Sequence, residues 1–173
     1  QIPRERVSPD GPVEDIFWAP KVILTNSVYN LPARNMNVTI MHSFGIASTG
    51  ISTLFGMDES ANIRLGVDYG ITSWLSIGVG RSRYDKLYDA RFKTNILRQT
   101  MDDRSPLEVA VTGSVGITTL ENGFNFSDRL NYFASVMVAR QFTDWLTLQV
   151  SPMFSHFNTM LIEQEPGGVL PDM

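Results

Sequence analysis

The constraint that most narrows what this chain can fold into is a period of two in its apolar residues. It is clearest in residues 63–83, IRLGVDYGITSWLSIGVGRSR. In the first half Ile63, Leu65, Val67 and Tyr69 alternate with Arg64, Gly66, Asp68 and Gly70; in the second Leu75, Ile77 and Val79 alternate with Ser76, Gly78 and Gly80. Successive side chains of a strand point to opposite faces, so each half reads as a strand with one apolar and one polar face. Ile71, Thr72 and Ser73 read as the turn of a hairpin. The polar face is the unusual one, because Arg64 and Asp68 stand among glycines too small to form a packed core.

The same period recurs along the chain. Residues 37–44 set Val38, Ile40 and His42 against Asn37, Thr39, Met41 and Ser43. Residues 87–98 set Tyr88, Ala90, Phe92, Thr94 and Ile96 against Asp89, Arg91, Lys93 and Asn95. In residues 107–119 Val109, Val111, Val115 and Ile117 oppose Glu108, Ala110, Thr112, Ser114 and Thr118. Residues 129–141 place Leu130, Tyr132, Ala134, Val136 and Val138 opposite Asn131, Ser135 and Gln141. A turn at Phe142, Thr143 and Asp144 then leads to Leu146, Leu148, Val150 and Phe154 opposite Thr147, Gln149, Ser151 and Ser155. With residues 21–29 as a first strand, the chain reads as all-β, an antiparallel up-and-down meander of about eight strands. Its last four strands exceed the usual globular length of about five to six residues.

Three divisions follow. Residues 1–20, with Pro3, Pro9, Pro12 and Pro20, form an extended polar leader that Phe17 and Trp18 would anchor; residues 21–158 form a β-barrel domain; residues 159–173 form an irregular tail. Residues 45–62 read as a loop with a short helical turn over 57–61, capped by Asp58. Counted from the two tight turns, the first strand would start on the side of the longer loops. Either residues 21–29 are misassigned as the first strand or residues 45–62 hide another crossing.

Composition limits the setting. Of 173 residues, 43% are hydrophobic and only 18% charged, below the roughly 25% charged of a soluble domain. No run of about 18 or more apolar residues exists, so a transmembrane helix is excluded; a transmembrane β-barrel stays open, because alternating strands leave mean hydropathy near neutral, as here at -0.05. The net charge of -4 is concentrated at the ends. Removing Glu5, Asp10, Glu14, Asp15, Glu163, Glu165 and Asp172 from 18 acidic residues leaves 11; removing Arg4 and Arg6 from 14 basic residues leaves 12. That balance offers no nucleic-acid surface. Cysteine is absent, which removes disulfides and thiol chemistry.

Few residues point to chemistry. Gly78, Gly80 and Arg83 begin like a dinucleotide fingerprint, but Arg83 stands where the third glycine belongs and no helix follows to hold a pyrophosphate. No cofactor site is expected. His42 and His156, the only histidines, fall on the apolar face. No further residues stand at ligand spacing, so no metal is expected. Neighbouring Ser43 and Ser155 point to the opposite face from the histidines, so no catalytic residues are assigned. The informative set is the polar-face charges Arg64, Asp68, Asp89, Arg91, Lys93 and Glu108. In a narrow barrel they would line the lumen and pair across strands, because an isolated buried charge is expensive; a wider barrel would make them a charge-lined pore or ligand pocket.

The stretches at residues 55–99 and 130–158, with HSFG at 42–45, FGMD at 55–58 and IGVGRS at 77–82, resemble an uncharacterised family of Gram-negative outer-membrane β-barrel proteins over about residues 20–158. The resemblance implies a transmembrane barrel of the cell outer membrane with no established activity. It also implies further C-terminal strands that do not follow here, so the chain is expected to be either the N-terminal part of a larger barrel or a short form closing with eight strands. The expected function is a porin-like or structural outer-membrane barrel, not an enzyme. Its expected partners are outer-membrane lipid and membrane or periplasmic proteins reached through the leader, with no nucleic acid. Two alternatives stand beside it: a soluble β-barrel binding a hydrophobic ligand, its apolar face turned inward, and a lipid-modifying barrel enzyme using His42 or His156.

Overall fold

A computed structural model describes residues 11–13, 16–22, 25–43, 51, 62–83, 86–119 and 125–158. The wall is one antiparallel meander curled into a half-barrel. Its strands are β3 (Met36–Ser43), β4 (Asn62–Gly70), β5 (Leu75–Ser82), β6 (Leu87–Leu97), β7 (Glu108–Thr118), β8 (Leu130–Thr143), β9 (Leu146–Val150) and β10 (Met153–Phe157). Each strand from β3 to β8 pairs with the next in sequence, and β9 and β10 both pair with β8. The alternation in the sequence sets the faces. On β6, for example, Tyr88, Ala90, Phe92 and Ile96 are exposed while Lys93 and Asn95 are buried.

β9 and β10 act as one wall strand. Val150 pairs with Val138 and Met153 with Ser135, a continuous register. The Val136 N–H and the Ser135 hydroxyl both donate to the Pro152 carbonyl, at 3.2 and 3.0 Å. Pro152 has no N–H to offer, and it stands at the break between β9 and β10, where the ladder is interrupted. The turn expected at Phe142–Asp144 falls later: β8 continues through Thr143, and residues 144–145 make the turn. A register shift between Gln141 and Thr143 absorbs the extra residue, as a bulge does.

Residues 21–29 correct the expected first strand. Only β1 (Lys21–Val22) and β2 (Thr25–Asn26) pair, with each other, and neither joins the wall. Here the backbone groups are satisfied by wall side chains. The Val28 N–H donates to Gln149 Oε1 (3.0 Å), the Val28 carbonyl accepts from Asn95 Nδ2 (2.9 Å), and the Asn26 carbonyl accepts from Gln149 Nε2 (2.8 Å). With this segment out of the wall, β3 starts at the end of the short turns, and residues 44–61 join two neighbouring strands directly. The parity conflict disappears. The helical turn expected at 57–61 and the tail at 159–173 lie outside the described residues.

The buried apolar cluster lies between the wall and the segment ahead of β3, a leader that extends past residue 20 to include residues 21–32. Ile16 and Val28 pack on Ala110, Met137 and Ala139, with Val13 and Phe17 partly buried against them. Trp18, expected beside Phe17 as an anchor, is 97% exposed and makes no part of this cluster. Full burial of an Ile, Val or Leu side chain contributes about 1.5–3 kcal/mol, against about 1–2 kcal/mol for each backbone residue ordered. The leader's hold on the wall therefore depends on its polar contacts as well. At Gly70 it passes so close that an added Cβ would collide with the Pro32 carbonyl oxygen.

Candidate functional site

The polar-face charges come from three strands. Arg64 and Asp68 lie on β4, Asp89, Arg91 and Lys93 on β6, and Glu108 on β7. Between β4 and β6 runs β5, which turns Ser76, Gly78, Gly80 and Ser82 to the same face. In register, Asp68 faces Gly78 and Gly78 faces Arg91; Gly66 faces Gly80 and Gly80 faces Asp89. Neighbouring strands stand about 4.8 Å apart, so β4 and β6 are about 10 Å apart. Their long side chains meet only because the strand between them carries no side chain there.

They do meet. Arg91 Nε lies 2.6 Å from Asp68 Oδ1, and Arg91 Nη1 lies 3.0 Å from Asp89 Oδ2. Arg64 takes the other side of Asp89, with Nη1 at 2.6 Å from Oδ1 and Nη2 at 2.7 Å from Oδ2. Asp89 thus receives two guanidinium groups and Arg91 holds two carboxylates. Side-chain exposures of 8–25% mean that water screens these pairs only weakly.

Gly78 and Gly80 form the floor of this network. A Cβ at Gly78 would overlap Asp68 Oδ1 and lie 3.0 Å from Arg91 Nε; one at Gly80 would lie 2.6 Å from Arg64 Nη2 and 2.8 Å from Asp89 Oδ1. Gly78→Val is expected to destabilise the protein by at least about 1–3 kcal/mol, the usual cost of overpacking, read from the urea unfolding midpoint in lipid vesicles. Adding Asp68→Ala should recover part of it by removing the displaced carboxylate. Wild-type stability for Gly78→Val would show that the ion pairs do not rest over β5.

The other two charges leave this network. Lys93 Nζ donates to the backbone carbonyls of Tyr29 and, at 3.4 Å, Pro20, so its charge holds the leader. Glu108 Oε1 accepts from Asn95 Nδ2 at 2.8 Å. The leader is also held by Asn30, whose Oδ1 accepts from the Ser76 hydroxyl at 2.6 Å. Asn95 and Gln149 stand on the expected polar face, but nothing in their spacing shows that a distant segment would supply their partners. Between leader and wall, Lys21, Asn30, Asp68, Ser76, Arg91 and Lys93 border a cavity of about 30 Å³, room for one or two waters.

Both histidines sit on the outer face. His42 pairs with Ile63, and His156 pairs with Tyr132, its ring 6.4 Å from those of Tyr132 and Phe154. Ser155 pairs with Phe133 on the inner face, so the histidine and the serine beside it do not meet. Among the described residues no three carboxylate or imidazole groups converge as a metal site.

The distribution of burial decides what surrounds this sheet. Among the described residues ten polar or charged ones are buried against six apolar ones. The large apolar side chains point the other way: Ile40 is 71% exposed and Val79 60%, with Val38, Leu65, Ile77, Phe92, Val115, Val136 and Val150 also exposed. A soluble sheet hides its apolar face and wets its polar one; here the arrangement is inverted, as lipid requires. The chain belongs to the family of membrane-bound beta barrel domains (DUF5777). The match covers residues 17–170, so the leader hairpin and the whole described wall fall inside this membrane-bound barrel domain. No curated protein and no solved structure matches the chain.

Proposed function

We propose that this protein is an outer-membrane β-barrel with a structural role, its strands crossing the bilayer and its interior occupied by its own leader and by paired charges. The observation that carries this reading is the height of the uncharged outer band. One outward row across the sheet joins Leu65, Arg81, Tyr88, Ile117 and Leu130. On β8 the next outward cation is Arg140, ten residues beyond Leu130. Ten steps of about 3.3 Å span about 33 Å, which at a strand tilt of about 40° rises about 25 Å, the apolar height of an outer-membrane barrel. Both margins carry rings, Tyr88 at one and Phe142 at the other.

Connection lengths support one orientation. At one end the connections are residues 71–74, 98–107 and 144–145; at the other they are 44–61, 83–86 and 119–129. Outer-membrane barrels keep short turns on the periplasmic side, which puts the leader and the Lys93 contacts in the periplasmic half. No catalytic step is proposed: among the described residues the inner charges of β4 and β6 pair with one another, and the cavity beside them has room for one or two waters.

With no native cysteine, single Cys labels test this directly. Fluorophores at Val111→Cys and Val136→Cys should be quenched by acyl-chain quenchers, and one at inward-facing Ser114→Cys should not. A monodisperse, detergent-free monomer, or unquenched label at Val136, would remove the reading. A porin-like passage is the second reading, favoured by the leader's wall contacts clustering in one half of the inner face. Planar-bilayer recording separates the two: the structural barrel carries no steady current, whereas regular conductance steps would move the assignment to a porin.

A further inference from the structure

Among the described residues the two margins of the outer band differ in the partners of their outward arginines. At the short-turn margin Arg140 lies over the Phe142 ring, 5.2 Å from its centroid, and has a carboxylate at hand, Asp103, 3.6 Å away. At the opposite margin Arg81 lies over the Tyr88 ring at 5.5 Å, flanked across the strands by Leu65 and Tyr88. No carboxylate among the described residues pairs with it. Two further exposed cations follow at once. Arg83 and Lys86 belong to the connection after β5, where the Arg83 N–H donates to the Ile63 carbonyl (2.9 Å) and the Lys86 N–H to the Arg83 carbonyl (3.2 Å). Arg81, Arg83 and Lys86 thus place three cations, against the single acidic residue Asp85, within six residues of sequence at one edge of the apolar band.

The depth of Arg81 is informative. An outward Arg costs about 2–4 kcal/mol at the bilayer midplane and about 0–1 near the interface, so Arg81 itself fits headgroup level. A guanidinium is a planar fork matched to phosphate. Stacking on Tyr88 holds that fork in place before any ligand arrives. We propose that Arg81, Arg83 and Lys86 form a binding site for the phosphate of a lipid headgroup in the outer leaflet, with Tyr88 as the platform. The inference rests on the outer-membrane reading above, which supplies the leaflet.

The test uses the full chain in phosphatidylcholine nanodiscs doped with diphosphoryl lipid A or with its dephosphorylated form. Lipid retained through a detergent wash is measured by mass spectrometry. The wild type should retain the phosphorylated lipid about ten-fold over the other, as expected when charge-assisted hydrogen bonds are gained. The triple change Arg81→Gln, Arg83→Gln, Lys86→Gln should bring the two to parity, while Arg140→Gln leaves the ratio unchanged. Arg81→Lys, which keeps the charge but loses the fork, should give an intermediate ratio, and its mild change guards against a folding defect. Equal retention of both lipids by the wild type, or an unchanged ratio in the triple variant, would overturn the site. Displacement of the lipid by excess inorganic phosphate would overturn it in favour of a free-anion site. Failure of the wild type to enter nanodiscs would remove the outer-membrane reading itself; entry without discrimination removes only this inference.

Discussion

Arg91→Met is expected to lower the unfolding free energy by about 3–5 kcal/mol, the cost of removing one partner from a buried ion pair. Arg91 is the only group that touches both Asp68 and Asp89 among the described residues, and its side chain is 14% exposed. Methionine keeps most of the apolar stem, so the loss reports the guanidinium. Asp68 would then lose its ion-pair partner and keep only the longer-range attraction of Lys21 and Lys93 across the small cavity, whereas Asp89 keeps Arg64. The urea midpoint of the protein in lipid vesicles measures the effect. A second variant carrying Asp68→Asn with Arg91→Met should regain part of the loss, because neutralising the stranded carboxylate removes the larger share of the penalty. A shift below about 1 kcal/mol for Arg91→Met would mean that the network is screened by water, as surface pairs are.

Val136→Arg is expected to destabilise the inserted protein by about 2–4 kcal/mol, the cost of a cation on the lipid face near the bilayer midplane. Val136 lies midway along β8 between the Leu130 row and Arg140, points outward, and is 42% exposed. In a soluble protein an exposed valine accepts arginine within about 0.5 kcal/mol. The same substitution at inward-facing Ser114 should cost less, since the inner face already carries charge. Equal, small effects at both positions would argue that water, not lipid, covers the outer face.

The strand pattern was legible because most strands carry one apolar and one largely polar face. Charges on β6 fall at Asp89, Arg91 and Lys93 and apolar groups between them, so a shift of one residue would invert the pattern and no other register fits. The glycines of β5 could be read as making room for those charges, and the structure shows the ion pairs lying over them. Residues 21–29 misled for a physical reason. An extended segment with apolar residues reads the same whether its backbone pairs with a strand or with side chains such as Asn95 and Gln149. Met137 and Ala139 were passed over because they are apolar residues on a polar face, there to receive Ile16 and Val28.

Sequence alone determined the all-β meander, which residues share a face, and the need for the six charges to find partners. Those follow from local geometry, since a strand's period of two is a property of its own backbone. Only the tertiary structure decided the pairings: Arg64 with Asp89, Arg91 with both aspartates, and Lys93 with the carbonyls of a leader more than sixty residues before it in the chain. Such contacts depend on how far strands stand apart and on what crosses their inner face, and neither distance is written in the alternation of a single strand.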